Sequence, residues 1–317
     1  MKITFIVDDV WNFNRIIANR LQEKNHIVTF IDSSKINFTY KNFAQRITNF
    51  FSKTFLNKNI KKGYLERTLV QTIENLPLQD IIIVINPDTF SRTIINSLKL
   101  KTKRYIAHNY DSLVRHPLPD NHKELFDKVF SFDIEDVKNN NFLHLLNNFI
   151  YTEKRVSVAP KNKAFMILSK SKEREIILNR IATIFDRKNI TNYEFIVVNT
   201  ELTQDVNNNI LHTTESISLD EVAKKVSNAE ILIDLVRTNQ SGLSFRFYEA
   251  MAFEKKIITN NKNVMLYDFY NPNNIHVLED DFNDIDDAFL NTKYEPVPQH
   301  IYKNYTVDAW IQTAFNL

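Results

Sequence analysis

Apolar runs and periodic stripes alternate along this chain in the order of a parallel α/β protein. Ile3 to Asp8 is a continuous apolar run closed by Asp8-Asp9, the pattern of a strand buried on both faces. Asn14 to Lys24 then repeats apolar residues at helical spacing, Ile17 and Leu21 among them, and His26 to Asp32 reads as a second strand. This strand–helix–strand opening predicts a Rossmann-like half. Further strands are predicted at Asp80 to Asn86, Arg104 to Ala107 and Lys128 to Asp133, the last leading into a helix capped by Asp133. Tyr151 to Lys163 is polar, contains Pro160 and interrupts the periodicity, so the domain boundary is placed there. A second series of strands follows, beginning at Ala164 (AFMILS), Tyr193, Glu230 and Ile275. A helix is initiated at Leu219-Asp220-Glu221-Val222, and Val307, Trp310, Ile311 and Ala314 share one face of a tail helix.

The stretch that concentrates chemistry is Gln240 to Asn261, QSGLSFRFYEAMAFEKKIITNN. A polar turn, Gln240-Ser241-Gly242, is followed by a helix predicted from about Leu243 to Phe253 and a short strand, Ile257-Ile258-Thr259. The chain has only two glycines, so one kept at a loop-to-helix junction points to a backbone angle or a close ligand approach that a Cβ would forbid. The start of such a helix directs N–H groups and partial positive charge at the junction, which suits a phosphate. Leu243, Phe247, Ala250 and Met251 form the apolar stripe, while Arg246 and Glu249 lie three apart on another face. Two readings stand: a surface helix with a weak Arg–Glu pair, or a guanidinium for phosphate and a carboxylate for ribose hydroxyls.

Glu249-Ala250-Met251-Ala252 with Lys256-Ile257-Ile258 resembles the E-A-M-A-x-G-x-P-V-I segment of GT-B glycosyltransferases, especially family four and its relatives in bacterial surface-polysaccharide loci. The resemblance implies two Rossmann-like domains facing a cleft, with a C-terminal helix packing back on the first. Residues 1–153 with the tail 303–317 would form the acceptor side, and 160–302 the nucleotide-sugar donor domain. It further implies that Glu249 holds the donor's ribose, that Gly242 and Leu243 face the diphosphate, and that Ser241 belongs to the donor-binding set. The family's earlier glutamate, eight positions before, is Ser241 here; its glycine is Glu254 and its proline Lys256. By position, Lys170 and Arg174 in the first loop of the second half, and Arg237 just ahead of the turn, join Arg246 as cations for the donor phosphates. No cofactor is expected beyond the nucleotide-sugar co-substrate. The acceptor would be a surface glycan such as lipopolysaccharide or capsule, saccharide or lipid-linked.

Composition narrows the remaining classes. A 317-residue chain with 43% hydrophobic and 25% charged residues supports two α/β domains. A net charge of +2 gives no footprint for nucleic acid. There is no cysteine, which removes disulfides and thiolate chemistry. The opening MKITFIVDD reads as a strand and not as a signal peptide, and no apolar run approaches membrane-spanning length, so a cytoplasmic location is expected. The absence of G-x-G-x-x-G argues against a nicotinamide dehydrogenase. Asp284-Ile285-Asp286 has D-x-D form but lies inside an acidic run, so it is set aside as a metal site and metal-independent transfer is expected.

The first half offers three further features. Asp8-Asp9 sits at a strand's carboxyl end, as either a ligand group or a solvated pair. His108-Asn109-Tyr110-Asp111-Ser112 follows the Arg104 strand, with His116 and Asp120 shortly after. His108 and Asp111 are the candidates for acceptor contact or proton removal, against a hydrogen-bonded loop network. Lys41 to Arg67 is basic and aromatic; it reads either as an amphipathic segment resting on anionic lipid or as core on one side and solvated charge on the other. Two other functions share the donor site: a sugar-nucleotide epimerase or hydrolase of GT-B type, and a non-catalytic nucleotide-sugar-binding protein.

Overall fold

The computed structural model describes residues 1–9, 11–39, 59–152, 159–199, 210–215 and 217–317. The chain divides into two compact units, Met1–Leu146 and Asn147–Leu317.

The first unit contains β1 (Lys2–Val7), α1 (Phe13–Glu23), β2 (Ile27–Asp32), α2 (Ile60–Glu74), β3 (Gln79–Ile85) and α3 (Arg92–Lys99). It continues with β4 (Thr102–Asn109), α4 (His122–Leu125), β5 (Lys128–Ser131), α5 (Ile134–Asn139) and β6 (Leu143–Leu145). The strands form one sheet in the order β2-β1-β3-β4-β5-β6, every described pairing parallel. β1 and β3 are central, and their Ile, Val and Phe residues are almost wholly buried, as two-sided cover requires. The basic aromatic segment lies mostly outside the described residues; its end, from Ile60, is the start of α2, where Lys61, Lys62 and Arg67 are exposed.

The second unit holds β7 (Asn162–Ser169), α6 (Lys172–Arg187), β8 (Tyr193–Val198), β9 (Ile210–Thr213), α7 (Leu219–Ser227) and β10 (Ala229–Asp234). Then come α8 (Phe245–Phe253), β11 (Lys256–Thr259), β12 (Ile275–Val277), α9 (Asp287–Asn291), α10 (Gln299–Lys303) and α11 (Val307–Phe315). Its parallel sheet runs β12-β11-β10-β7-β8-β9. Read in the unit's own sequence, this is the 3-2-1-4-5-6 order of dinucleotide-binding folds, with its reversal between β7 and β10. The core joins β7, β8 and β10 to one face of α6, through Leu178, Ile181 and Phe185. The sequence reading grouped the tail 303–317 with residues 1–153; the contacts place the tail and the segment 147–151 together in the second unit. Ile150 bridges Thr306, and Phe149 meets Trp310 edge to face.

Glycine scarcity has a visible answer. Among the described residues, seven non-glycine residues adopt left-handed backbone, and six are asparagine: Asn12, Asn25, Asn86, Asn189, Asn239 and Asn316. A short amide side chain tolerates this region best among the chiral residues. The seventh is Glu254, at φ 55° and ψ 51°, in the C-terminal cap of α8. It occupies the position where the resembled segment carries glycine, so the helix keeps its left-handed exit without one.

Candidate functional site

Strand order alone directs attention to the carboxyl ends of β7 and β10, where the second sheet reverses direction. β10 ends on Asp234, which is 7% exposed. One of its oxygens accepts from Ser244 Oγ at 2.5 Å and the other from Thr259 Oγ1 at 3.4 Å. Burial pushes its carboxyl up; Ser244, then the positive charge of Arg246, then Thr259 and Arg174, oppose that rise. Ser244 is also the N-cap of α8, accepting from Arg246 N at 3.1 Å. One serine thus ties the helix start to the strand end.

The predicted helix therefore begins at Phe245, two residues later than the sequence suggested, because Ser244 takes the cap. Gly242 does not have positive φ, so it supplies no left-handed turn. It is buried, and its carbonyl and that of Ser241 accept from Asn261 Nδ2 at 3.3 and 3.1 Å. Leu243, Phe247, Ala250 and Met251 are buried as the stripe required.

Arg246 and Glu249 form an ion pair through Nη1 and Oε2, but the pair is buried: the side chains are 12% and 4% exposed. The alternative of a weak surface pair is therefore corrected, since Tyr248 and the residues after it are buried as well. The guanidinium also lies 5.6 Å from the centre of the Phe165 ring on β7. The second Glu249 oxygen accepts from the hydroxyl of Tyr151. Arg174 is buried on α6 and donates to Ser169 O at the end of β7 at 2.8 Å. Lys170 is exposed immediately after β7, and Arg237, half-buried, follows β10. The predicted donor-side residues thus fall in a single unit, on the loops that follow β7 and β10 and on the helices α6 and α8 that those loops lead into. Sequence reasoning passed over Asp234, Ser244, Asn261 and Tyr151. Asp234 and Ser244 could have been found from an acid at a strand's end and a serine at a helix start; Asn261 and Tyr151 gave no such signal.

In the first unit the outcome differs. β4 continues through Asn109, so His108 belongs to a central strand and is fully buried between Tyr110 at 4.3 Å and Phe130 at 6.5 Å. Burial drives its ionisation down to about 3, against a hydrogen bond with the Leu146 backbone. The imidazole is a neutral core group in this structure, which corrects its assignment to acceptor contact. Asp111 is half-buried, paired with Arg115 at 2.6 Å, and accepts from Ser112 N at 2.9 Å. Nearby, His116 Nδ1 lies 2.9 Å from both oxygens of Asp88. Asp9 is no solvated pair member: it accepts from Asn14 N and Arg15 N at the start of α1, while Asp8 is exposed. Asp284 pairs with Lys188 at 3.0 Å and Asp286 caps α9, so both have structural partners.

No family model matches the chain, and no curated protein matches it in sequence. Solved structures do. A UDP-forming α,α-trehalose-phosphate synthase from Burkholderia xenovorans superposes with a TM-score of 0.56 at 11% identity, covering 98% of this chain and 97% of that one. The UDP-GlcNAc 2-epimerase from Methanocaldococcus jannaschii gives 0.53 at 12% identity, with 99% of each chain covered. The apo form of the lipopolysaccharide outer core galactosyltransferase WaaB gives 0.50 at 12%, covering 100% and 96%. At such identities the likeness is one of fold: two Rossmann-like α/β domains of the GT-B type.

Proposed function

We propose that the chain is a nucleotide-sugar-dependent glycosyltransferase whose donor site is the switch-point cluster of the second unit. The observation that carries this reading is the convergence of Arg246, Glu249, Arg174 and the Ser241–Ser244 turn at the ends of β7 and β10. Glycosyl transfer passes through an oxocarbenium-like centre while a nucleoside diphosphate departs, and the protein's main task is to meet that charge. Arg246 is placed for the diphosphate, with Arg174, Lys170 and Arg237 as further cations, and Glu249 for the ribose. Transfer on this basis needs no divalent metal; activity should survive excess EDTA, and loss restored by Mg²⁺ or Mn²⁺ would reject that part.

The acceptor is proposed to be a surface glycan, saccharide or lipid-linked, met by the strand-end loops of the first unit, where Asp111 is the remaining candidate carboxylate. Peripheral contact with anionic lipid through the basic segment fits such an acceptor and a cytoplasmic location. Reversing Lys58, Lys61 and Lys62 to Glu should abolish co-sedimentation with anionic liposomes at low salt. Wild-type protein that ignores those liposomes would end the lipid proposal.

The donor site is tested by calorimetric titration with nucleosides and nucleoside diphosphates. Glu249→Ala should weaken both ligands, since both carry ribose. Arg246→Ala should lower diphosphate affinity about 10- to 150-fold with little change for the nucleoside. Leu243→Ala is the packing control, lowering stability without selective loss of either ligand. Wild-type affinity in both site variants would refute the assignment. An epimerase or hydrolase is the second reading, because the epimerase fold covers the whole chain. Donor turnover without any saccharide acceptor would favour it, and tight binding without turnover would indicate a binding protein.

A further inference from the structure

Both carboxylate oxygens of Glu249 are occupied: Arg246 Nη1 donates to Oε2, and the Tyr151 hydroxyl donates to Oε1. Tyr151 reaches the site from the start of the second unit, 98 positions before its partner. The residues just ahead of it are pinned. Asn148 Nδ2 donates to Leu243 O at 2.9 Å, Phe149 meets Phe245 edge to face at 5.6 Å, and Ile150 N donates to Tyr305 O at 2.7 Å. Tyr151 itself is half-buried and touches Phe245 at 5.8 Å. The anchor therefore lies at 148–150, and the phenol can leave Glu249 by rotating about its own side-chain bonds while the anchor holds.

A phenol hydroxyl donating to a carboxylate makes the same contact as a ribose hydroxyl. Burial, and then the charge of Glu249, push the ionisation of Tyr151 up, so the phenol remains a donor. Glu249 is 3% exposed and holds its other oxygen against Arg246, which leaves Oε1 as the position where one donor can be exchanged for another.

We propose that Tyr151 is a built-in competitor for the nucleoside hydroxyls at Glu249, so that nucleotide entry exchanges one hydroxyl donor for another and Tyr151 sets the affinity of the site. This rests on the reading of Glu249 as the ribose carboxylate and adds the residue that must yield to it. Because the Tyr151 bond must break first, the ribose contact contributes less net affinity in the wild type than it would without the phenol, though enough for its loss to weaken binding. The phosphates and base must supply the rest.

The test titrates wild type, Tyr151→Phe and Glu249→Ala with UDP, GDP, ADP and CDP. Removing the competitor should tighten the accepted nucleotide roughly 10- to 150-fold, the range of a hydrogen bond to a charged group. Unchanged or weaker binding by Tyr151→Phe overturns the proposal. A second readout keeps the native contact in place: a fluorotyrosine at position 151 should change its ¹⁹F shift on nucleotide saturation, and an unmoved signal also overturns it. If Glu249→Ala leaves affinity untouched, the donor-site reading fails and the competitor falls with it. If Glu249→Ala weakens binding while Tyr151→Phe does not tighten it, only the competitor fails. Binding to none of the three proteins by any of the four nucleotides overturns both.

Discussion

Arg246 and Glu249, three positions apart on α8, face each other inside the second unit and not across a solvated helix surface. Two charges out of water are stable only together, since the cost of desolvating either is met by the other.

Removing one partner should therefore cost far more than removing both. Arg246→Ala is expected to lose about 3 kcal/mol of stability, the low end for a broken buried pair because Tyr151 still donates to the stranded carboxylate. The double variant Arg246→Met, Glu249→Leu should recover most of that loss. Urea unfolding of the singles and the double measures the coupling. Simple additivity would show that the pair behaves as a surface contact.

Acid should unfold the first unit partly through His108. Its folded ionisation lies near 3, below the ordinary 6.5, because the ring is buried. The unfolded chain then takes up a proton before the folded one does. The stability linked to this ring is complete above about pH 6.5 and declines as pH falls toward 3. His108→Gln, which does not titrate, should show a shallower loss of melting temperature between pH 6.5 and 4. Equal slopes would mean the ring protonates in the native state.

Lys256 predicts the opposite edge of the pH range. It is 4% exposed, and its Nζ donates to the carbonyls of Phe289 and Thr292 at the end of α9. Burial brings its ionisation down to about 8, with Lys163 adding to the effect. Between about pH 8 and 10.5 the unfolded chain still holds this proton while the folded chain releases it, so this group's contribution favours folding more as pH rises. The difference in melting temperature between wild type and Lys256→Met should grow in favour of wild type from pH 8 to 10. A constant difference would place the folded ionisation at its ordinary value.

Glu254 gives a stabilising substitution. Left-handed backbone costs a chiral residue roughly 1–2 kcal/mol, whereas glycine adopts it freely but adds roughly 0.5–1 kcal/mol of unfolded-state entropy. Glu254→Gly should gain about 0.5–1 kcal/mol in urea unfolding. A loss would mean that the glutamate side chain contributes more than its backbone strain removes.

The two sheets were readable from sequence because their central strands, β1, β3, β7 and β10, are covered on both faces and appear as unbroken apolar runs. The strands passed over, β6 (LHL) and β9 (ILHT), are short sheet edges. Edges carry mixed polarity because only one side is paired. His108 was misplaced for a related reason. Polarity suggested that β4 had ended at Ala107, but a central strand can bury a neutral imidazole, and β4 runs two residues further. The Arg246–Glu249 stretch was legible through local spacing. Its burial was not, because Phe165 and Tyr151 reach it from distant parts of the chain.

The strand order has a consequence for the newborn chain. β7 lies beside β8 and β10 in the finished sheet, yet β10 begins at Ala229, sixty residues after β7 ends at Ser169. At synthesis rates of about 5–20 residues per second, one edge of β7 waits roughly 3–12 seconds for its partner. During that interval an apolar strand carrying Phe165, Met166 and Leu168 has an open hydrogen-bonding edge. The ribosome must therefore deliver the second unit as far as β10, about half of it, before its first strand is safe from pairing with another copy. Slower translation between residues 170 and 228 would lengthen that exposure and lower the yield of soluble protein.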